Sequence, residues 1–263
     1  MPLLDSLRPL PNLRVLVTAG ASGIGAAIAR AFLEAGARVH VCDVDRTALD
    51  RLVLETPGIT GSMADASVAA DVDQVFDDVL GALGGLDVLV NNAGIAGPTA
   101  PIESIDGNGW ERTIAVNLNS QYYFARRAVP LLRQSAAGPS LIAMGSVAGR
   151  LGYAFRTPYA SSKWAIVGLM KSLAIELGPH GIRVNAILPG QVEGERMRGV
   201  IAARAAASGL SVEAMREQYL SKISLRRMVT ADDVAVLALF LSSPAARNVT
   251  GQAISVDGNV EYL

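Results

Sequence analysis

A tyrosine and a lysine, Tyr159 and Lys163, stand four residues apart in the stretch TPYASSKWAIVG at 157–168. On a helix this spacing places both side chains on one face. Free tyrosine has a pKa near ~10, so a phenolate at neutral pH requires about 4 kcal/mol of stabilisation. A cation at ~4 Å in an effective dielectric constant of ~20 provides about that much. The pair therefore predicts a tyrosine that acts as a general acid or base, and the alternative is an ordinary helix-surface pair.

The choice of lysine supports the chemical interpretation, because the chain has three lysines beside twenty arginines. Lysine is a compact point charge with three donors, so it can stabilise a phenolate and also bind a ribose hydroxyl. Ser146 ends a predicted strand, where open parallel sheets bind their ligands. Its hydroxyl can hold a carbonyl or carbinol oxygen in line with Tyr159, although a Gly-Ser turn is the alternative.

A glycine-rich segment, TAGASGIG at 18–25, follows the first predicted strand and leads into a helix. A helix N-terminus offers N–H groups and the positive end of its dipole to a pyrophosphate. Asp43 ends the second predicted strand, where an acid accepts the adenosine ribose hydroxyls and repels a 2′-phosphate. Ser22 and Val44 add no positive charge, although Arg46 could partly offset the acid and Asp43 could be only a turn residue. The pattern predicts a dinucleotide site that prefers NAD to NADP.

Strand-like apolar runs alternate with helix-like stretches, which predicts an α/β fold with a Rossmann-type, doubly wound, seven-stranded parallel sheet covered by helices on both faces. No linker interrupts the pattern, so residues 1–263 are expected to form one domain. The irregular stretch 190–229 is either a substrate lid or a surface pair of helices with solvated charges. Strands are predicted at 14–18, 38–43, 61–65, 86–92, 140–146, 183–189 and 252–258, and helices at 23–35, 67–81, 111–134, 159–178 and 231–242.

The composition excludes several classes of protein. The net charge of −1 provides no field that would attract nucleic acid or anionic lipid. No uncharged apolar run reaches the ~18 residues of a membrane span, and residues 1–14 lack the pattern of a secretory signal. Cys42 is the single cysteine, and no Cys/His/Asp/Glu cluster has the spacing of metal ligands. A soluble, cytoplasmic protein without a metal is expected.

Taken together, these motifs resemble those of the short-chain dehydrogenase/reductase family, in its compact single-domain branch, over nearly the whole chain. The glycine motif of that family is Thr-Gly-x-x-x-Gly-x-Gly. Thr18, Gly23 and Gly25 match it, whereas Ala19 stands at the second position and Gly20 is displaced by one. The catalytic set of the family is matched by Asn117 in IAVNLNS, Ser146 in AMGSVAG, and Tyr159 and Lys163 in YASSK.

The resemblance implies a role for each matched residue. Tyr159 would be the general acid/base, Lys163 its electrostatic partner, Ser146 the anchor of the substrate oxygen, and Asn117 the holder of a water that relays protons to Lys163. Gly194 stands where the family often has a threonine that contacts the nicotinamide carboxamide. The residues expected at the cofactor are Gly20, Ser22, Gly23, Ile24, Asp43, Val44, Asp65, Ala66, Asn91, Ala93, Gly94, Tyr159, Lys163, Pro189, Gly190 and Val192.

The predicted function is that of an NAD(H)-dependent oxidoreductase that interconverts a secondary alcohol and its ketone by hydride transfer. One alternative is a 3-oxoacyl-thioester reductase, which would need a basic patch for a carrier protein and usually NADPH; Asp43 argues against it. The other is a nucleotide-binding protein without catalysis, and the intact set of Asn117, Ser146, Tyr159 and Lys163 argues against that.

Arginines gather where the substrate is expected. Arg156 precedes Tyr159, and Arg196 begins the predicted lid; each could hold a carboxylate, sulfonate or phosphate. This indicates a sugar, a sugar acid or another polar hydroxy compound. Alternatively, Glu193 and Glu195 neutralise the arginines on a solvated lid, and a neutral ketone or cyclic alcohol remains open as substrate.

The run 159–178 is apolar on more than one face, which is more than one contact with a sheet requires. The resemblance implies that this helix and the 111–134 helix pair with their copies in a neighbouring subunit. The C-terminal VDGNVEYL would join a second interface. A homotetramer with two-fold axes is therefore expected.

Overall fold

The computed structural model describes residues 2–262, and its strands form one parallel sheet in the order β3-β2-β1-β4-β5-β6-β7. The prediction of a seven-stranded, doubly wound α/β fold is therefore confirmed. The predicted third strand lies two residues too late, and several other strands are shorter than predicted. The strands are β1 Arg14–Thr18, β2 Arg38–Asp43, β3 Ile59–Met63, β4 Val88–Asn91, β5 Ser140–Met144, β6 Arg183–Pro189 and β7 Ala253–Val256.

The strands are apolar on both faces because helices cover both sides of the sheet. Along β1, Val15 and Val17 pack on one side, and Leu16 packs on the other. The chain adds β2 and β3 on one side of β1 and places β4 on its other side. The connections therefore diverge at the carboxyl ends of β1 and β4, which leaves a crevice there.

The helices include two features that the sequence did not predict. Residues 46–55 are helical because Asp45 caps the first turn, accepting the Ala48 N–H at 3.0 Å. The helix predicted at 111–134 begins at Gly107, and a π-turn at Ala115–Asn119 interrupts it. The helices are α1 Gly23–Glu34, α2 Arg46–Glu55, α3 Ala69–Leu83, α4 Gly107–Ile114, α5 Ser120–Leu132, α6 Thr157–Leu177, α7 Glu195–Ser208, α8 Val212–Ser221 and α9 Ala231–Ser242. No helix within residues 2–262 is both long and apolar enough to cross a membrane.

The segment 190–229 contains α7 and α8 and has a small core of its own. Met215 and Tyr219 of α8 pack there against Ile201 and Ala205 of α7. A parallel bridge between Val192 and Val229 joins the two ends of the segment just beyond β6. Its charged residues therefore lie on a compact helical pair that stands next to the crevice.

Candidate active site

A cavity of about 700 Å³ lies at the crevice between β1 and β4. It extends from the loop before α1, past the ends of β2 and β5, to α7. Gly20, Asn91 and Asn117 do not line it. The other residues that the sequence predicts for the site do: Ser22, Gly23, Ile24, Asp43, Val44, Asp65, Ala66, Ala93, Gly94, Ser146, Arg156, Tyr159, Lys163, Pro189, Gly190, Val192 and Arg196.

The first turn of α1 lies so close to the loop before it that position 25 requires glycine. A Cβ on Gly25 would stand 2.1 Å from Ala19 O and 2.8 Å from Asn92 Nδ2. The Asn92 amide donates to Thr18 O at 3.0 Å and to Ala19 O at 3.1 Å. Because the first N–H groups of a helix lack intrahelical acceptors, this fixed turn presents donors to an anion.

Ala19 occupies the position of the expected motif glycine, and its φ is 48°. The left-handed region costs an L-residue about 1–2 kcal/mol, so the loop is strained at this point. A Cβ on the next residue, Gly20, would stand 2.6 Å from Val41 Cβ. Gly20 therefore allows the loop to pack against β2 and has no contact with the cavity.

Asp43 lies at the end of β2 with a buried carboxylate. Its Oδ2 accepts the Ala21 N–H at 3.0 Å, and its Oδ1 accepts the Asp45 N–H at 3.1 Å. The bond to Ala21 ties the acid to the glycine loop. Each oxygen keeps a further lone pair, so the carboxylate can still accept a ribose hydroxyl.

Asp65 is paired with Arg112, a cavity residue that no sequence motif marked. Arg112 Nη2 donates to Asp65 Oδ2 at 2.9 Å, and Ser67 Oγ donates to Asp65 Oδ1 at 2.6 Å. Burial raises the pKa of Asp65, but the hydrogen bonds from Ser67 and Arg112 outweigh it and keep this pKa below its ordinary value. A negative charge thus stands at this side of the cavity.

Asn117 lies in the π-turn between α4 and α5 and is completely buried. Its Oδ1 accepts the Ile95 N–H at 2.7 Å, and its Nδ2 donates to Ile95 O and to Ser162 Oγ, both at 3.1 Å. The side chain therefore fastens the segment after β4 to α6. A π-turn widens the helical ladder locally, and such turns often occur at functional sites.

Tyr159 and Lys163 occupy one face of the first turns of α6, as their spacing predicts. Lys163 is 3 % exposed, and its Nζ stands 5.7 Å from the centre of the Tyr159 ring. The ammonium donates to Met144 O, at the end of β5, at 2.9 Å. Ser146 lies two residues further along and lines the same cavity as Tyr159. One strand end and one helix start thus bring the three groups together.

The electrostatics of this group favour the phenolate of Tyr159. Burial raises the pKa of Tyr159, but Lys163, Arg196, the Ser146 hydroxyl and Arg156 together bring it below its ordinary value. Burial lowers the pKa of Lys163 to about 8. The attraction of the Tyr159 phenolate raises this pKa, and the repulsion of Arg196 lowers it further. The two side chains therefore titrate as a coupled pair.

The arginines near the expected substrate position separate into different environments. Arg156 is buried and lines the cavity, where its Nη2 donates to Ala96 O at 2.7 Å. Arg196 is exposed, and its Nη1 reaches across the cavity to Gly94 O at 3.1 Å. Arg150 is paired with Asp257 at 2.7 Å, and Arg198 lies outside the cavity on α7. Of these four arginines, only Arg156 and Arg196 reach the cavity.

Four further side chains correct or extend the sequence-based site. Asn91 faces away from the cavity, because its Nδ2 donates to Gln121 O at 2.9 Å in the interior. Asn92, its neighbour in the motif, lines the cavity instead. Tyr153 and Gln191 also line it, and only their proximity in sequence to Tyr159 and Pro189 could have indicated them.

Comparisons with known proteins agree with this geometry. A family model described as enoyl-(acyl carrier protein) reductase matches residues 18–260. Galactitol 2-dehydrogenase of Agrobacterium fabrum is 36 % identical over 250 residues, which are 95 % of this chain and 97 % of that protein. D-beta-hydroxybutyrate dehydrogenase of Cupriavidus necator is 37 % identical over 249 residues, which are 92 % of this chain and 95 % of that protein.

A solved structure adds a comparison in three dimensions. The 3-ketoacyl-(acyl-carrier-protein) reductase from Brucella melitensis, complexed with NADH, is 30 % identical and has a TM-score of 0.84. The match covers 95 % of this chain and 98 % of that one. The fold, the crevice and these relatives together lead to one conclusion. The chain belongs to the short-chain dehydrogenase/reductase family and is an oxidoreductase that acts on CH–OH groups with a nicotinamide cofactor.

Proposed function

We propose that this protein is an NAD(H)-dependent dehydrogenase that interconverts a secondary alcohol and its ketone, with a sugar, a sugar acid or another polar hydroxy compound as its substrate. The observation that carries the proposal is a single cavity that joins the glycine loop and Asp43 to Tyr159, Lys163 and Ser146. The names of the relatives from Agrobacterium fabrum and Cupriavidus necator support a hydroxylated polar substrate.

The residues of the chain handle the proton of this reaction. In the oxidative direction, the phenolate of Tyr159 accepts the hydroxyl proton while Ser146 holds the same oxygen. Lys163 stabilises the phenolate before the transfer, and the proton returns along the same route in reduction. We assign to Asn117 the support of a relay towards Lys163, because it fixes Ser162 and Ile95 beside that lysine.

The residues along the cavity fit a nicotinamide dinucleotide. A Cβ on Gly94 would stand 3.5 Å from Lys163 Nζ, so glycine keeps the approach to that ammonium open. Beyond β6, Glu193 N–H donates to Val229 O, and Gln191 O accepts the Val229 N–H. The N–H and C=O of Val192, which lies between these two residues, are left for the carboxamide of the cofactor. When bound, the cofactor supplies the two-electron step by accepting a hydride from the carbinol carbon or by returning it.

A dehydrogenase assay over polyols, sugars and hydroxy acids tests the function and the choice of cofactor together. We expect the wild-type protein to reduce NAD with a higher kcat/KM than NADP, because the buried Asp43 carboxylate repels a 2′-phosphate. Asp43→Asn should narrow this preference about tenfold or more, since it removes the charge but keeps an oxygen for the Ala21 N–H. The ratio of kcat/KM for the two cofactors measures the effect.

The matched control is Asp77→Asn, which removes an exposed carboxylate from helix α3. It should leave the ratio unchanged. Equal or better use of NADP by the wild-type protein would contradict the assigned preference, and absence of turnover with every alcohol would contradict the proposed function.

We also propose that the protein is a homotetramer with two-fold axes. Large apolar side chains remain exposed on α6, where Trp164 is 52 % and Ile175 is 81 % exposed, and Tyr122 on α5 is half exposed. Packing of these helices against their copies would bury this surface. Light scattering at micromolar concentration should give four times the mass of the chain, and a monomeric mass would contradict the proposal.

The remaining assignments concern organisation and location. We propose that residues 1–263 act as one domain in which 190–229 forms the substrate lid, since α7 lines the cavity with Arg196 and Met197. We place the reaction in the cytoplasm, where a diffusible pool of NAD(H) is present.

A further inference from the structure

The substrate end of the cavity carries an excess of positive charge. Lys163, Arg156 and Arg196 line it, and Arg204 stands one layer behind. Within residues 2–262, none of these four side chains has a carboxylate at salt-bridge distance. The phenolate of Tyr159 can balance Lys163, but the arginines are left without a counter-ion. Glu193 and Glu195 also line the cavity, but both are exposed on the lid and form no ion pair with these arginines.

Arg156 is the most deeply buried member of this group, at 2 % exposure. Its guanidinium has five N–H donors, and its single hydrogen bond to the described residues is the one from Nη2 to Ala96 O. Nε is buried without an acceptor. Burial of an unpaired charge is unfavourable, so an anion that reaches this side chain would be bound strongly.

Aromatic rings hold Arg156 in position. Its guanidinium carbon stands 4.8 Å from the centre of the Tyr159 ring and 5.2 Å from that of Tyr153. The Tyr153 ring also lies 5.0 Å from the guanidinium carbon of Arg204. The hydroxyls of Tyr153 and Tyr219 are 2.5 Å apart. The arginine is therefore pre-organised, which reduces the entropy lost when it binds a planar anion.

We propose that Arg156 forms an anion subsite that binds the carboxylate of the substrate, so that the physiological substrate is a short hydroxy acid or its keto acid. The inference rests on the proposed dehydrogenase function and names the substrate class of the same site. Arg156 contacts the ring of the residue that takes the hydroxyl proton, so the carboxylate lies only a few bonds from the carbinol carbon. Arg196, which has one N–H on Gly94 O and the others available, supplies a second donor from the lid.

Matched pairs of substrates test this assignment: lactate and 3-hydroxybutyrate against their methyl esters. We expect the wild-type protein to prefer the acids by about tenfold or more in kcat/KM, as a charge-assisted hydrogen bond allows. Arg156→Gln should lower kcat/KM for the acids about 10- to 100-fold more than for the esters. The loss that acids and esters share reports the effect of Arg156 on the pKa of Tyr159. Arg156→Lys should retain part of the preference. Arg198→Gln, on the lid but outside the cavity, is the control and should match the wild type on both.

A binding measurement keeps the test independent of turnover. With saturating NAD present, so that the glycine loop is occupied, malonate should bind the wild-type protein in calorimetry and raise its melting temperature. Malonate should neither bind Arg156→Gln nor raise its melting temperature. If the glutamine variant does not fold, Arg156→Lys should show weaker malonate binding and a smaller rise than the wild type.

Three results would overturn the anion subsite. The first is a wild-type protein that uses the esters as well as the acids, and the second is an equal loss on both by Arg156→Gln, which would indicate a structural role. The third is the absence of malonate binding to the wild-type protein, or its persistence in both variants. If no alcohol is oxidised but malonate binds through Arg156, the dehydrogenase function fails while the anion subsite stands.

Discussion

Replacement of Tyr159 by phenylalanine should lower turnover by at least about 100-fold, the scale of general acid–base catalysis. Phe keeps the ring against Arg156 and removes only the hydroxyl. Steady-state kinetics measure the loss. Calorimetric titration should show that NAD binds with little change, because the glycine loop and Asp43 are unaltered.

Tyr122→Phe, half exposed on α5, is the matched control and should keep wild-type turnover. The low activity of Tyr159→Phe should not recover at alkaline pH, because no titrating group replaces the phenol. Near-normal turnover in Tyr159→Phe would show that another group transfers the proton.

Replacement of Lys163 by methionine should lower oxidative turnover at neutral pH by about 100-fold, through a different cause. Oxidation requires deprotonated Tyr159, so activity falls as the pH decreases through the pKa of this residue. Burial raises the pKa of Tyr159, and the Lys163 ammonium is the main group that lowers it, so removal of the ammonium raises this pKa. The acid limb of the pH profile should therefore move to higher pH, and activity should recover in part at alkaline pH, in contrast to Tyr159→Phe.

The chain offers a control on the same helix. Lys171, two turns further along α6, is exposed and donates to Gly251 O at 3.2 Å, so Lys171→Met should leave the pH profile unchanged. An unshifted acid limb in Lys163→Met would contradict the electrostatic role.

Local spacing explains why much of the site could be inferred from the amino-acid sequence. The i, i+4 relation of Tyr159 and Lys163 depends only on their helix, and Asp43 and the glycine loop are each defined by the strand that they follow. The order of strands and helices predicted the parallel sheet for the same reason, since apolar periodicity is a property of short segments. The helix at 46–55 was not predicted because its apolar stripe is short, with Ala48, Leu49 and Leu52 as its buried residues.

Side-chain direction at the end of a strand could not be decided in this way. Asn91 and Asn92 are adjacent in one motif, yet Gln121 of α5 holds the first in the interior, and Thr18 of β1 holds the second at the cavity. Successive residues of a strand point to opposite faces, so a motif that spans a strand end includes both kinds of position.

The sequence by itself determined the order of the elements, the glycine loop, the acid after β2 and the spacing of the tyrosine–lysine pair. Only the tertiary structure decided which arginines have partners. It pairs Arg150 with Asp257, 107 residues away, and leaves Arg156, six residues after Arg150, buried without a carboxylate. The reason is physical: periodicity and capping act within a few residues, whereas the neutralisation of a charge depends on groups that the fold brings together from distant parts of the chain.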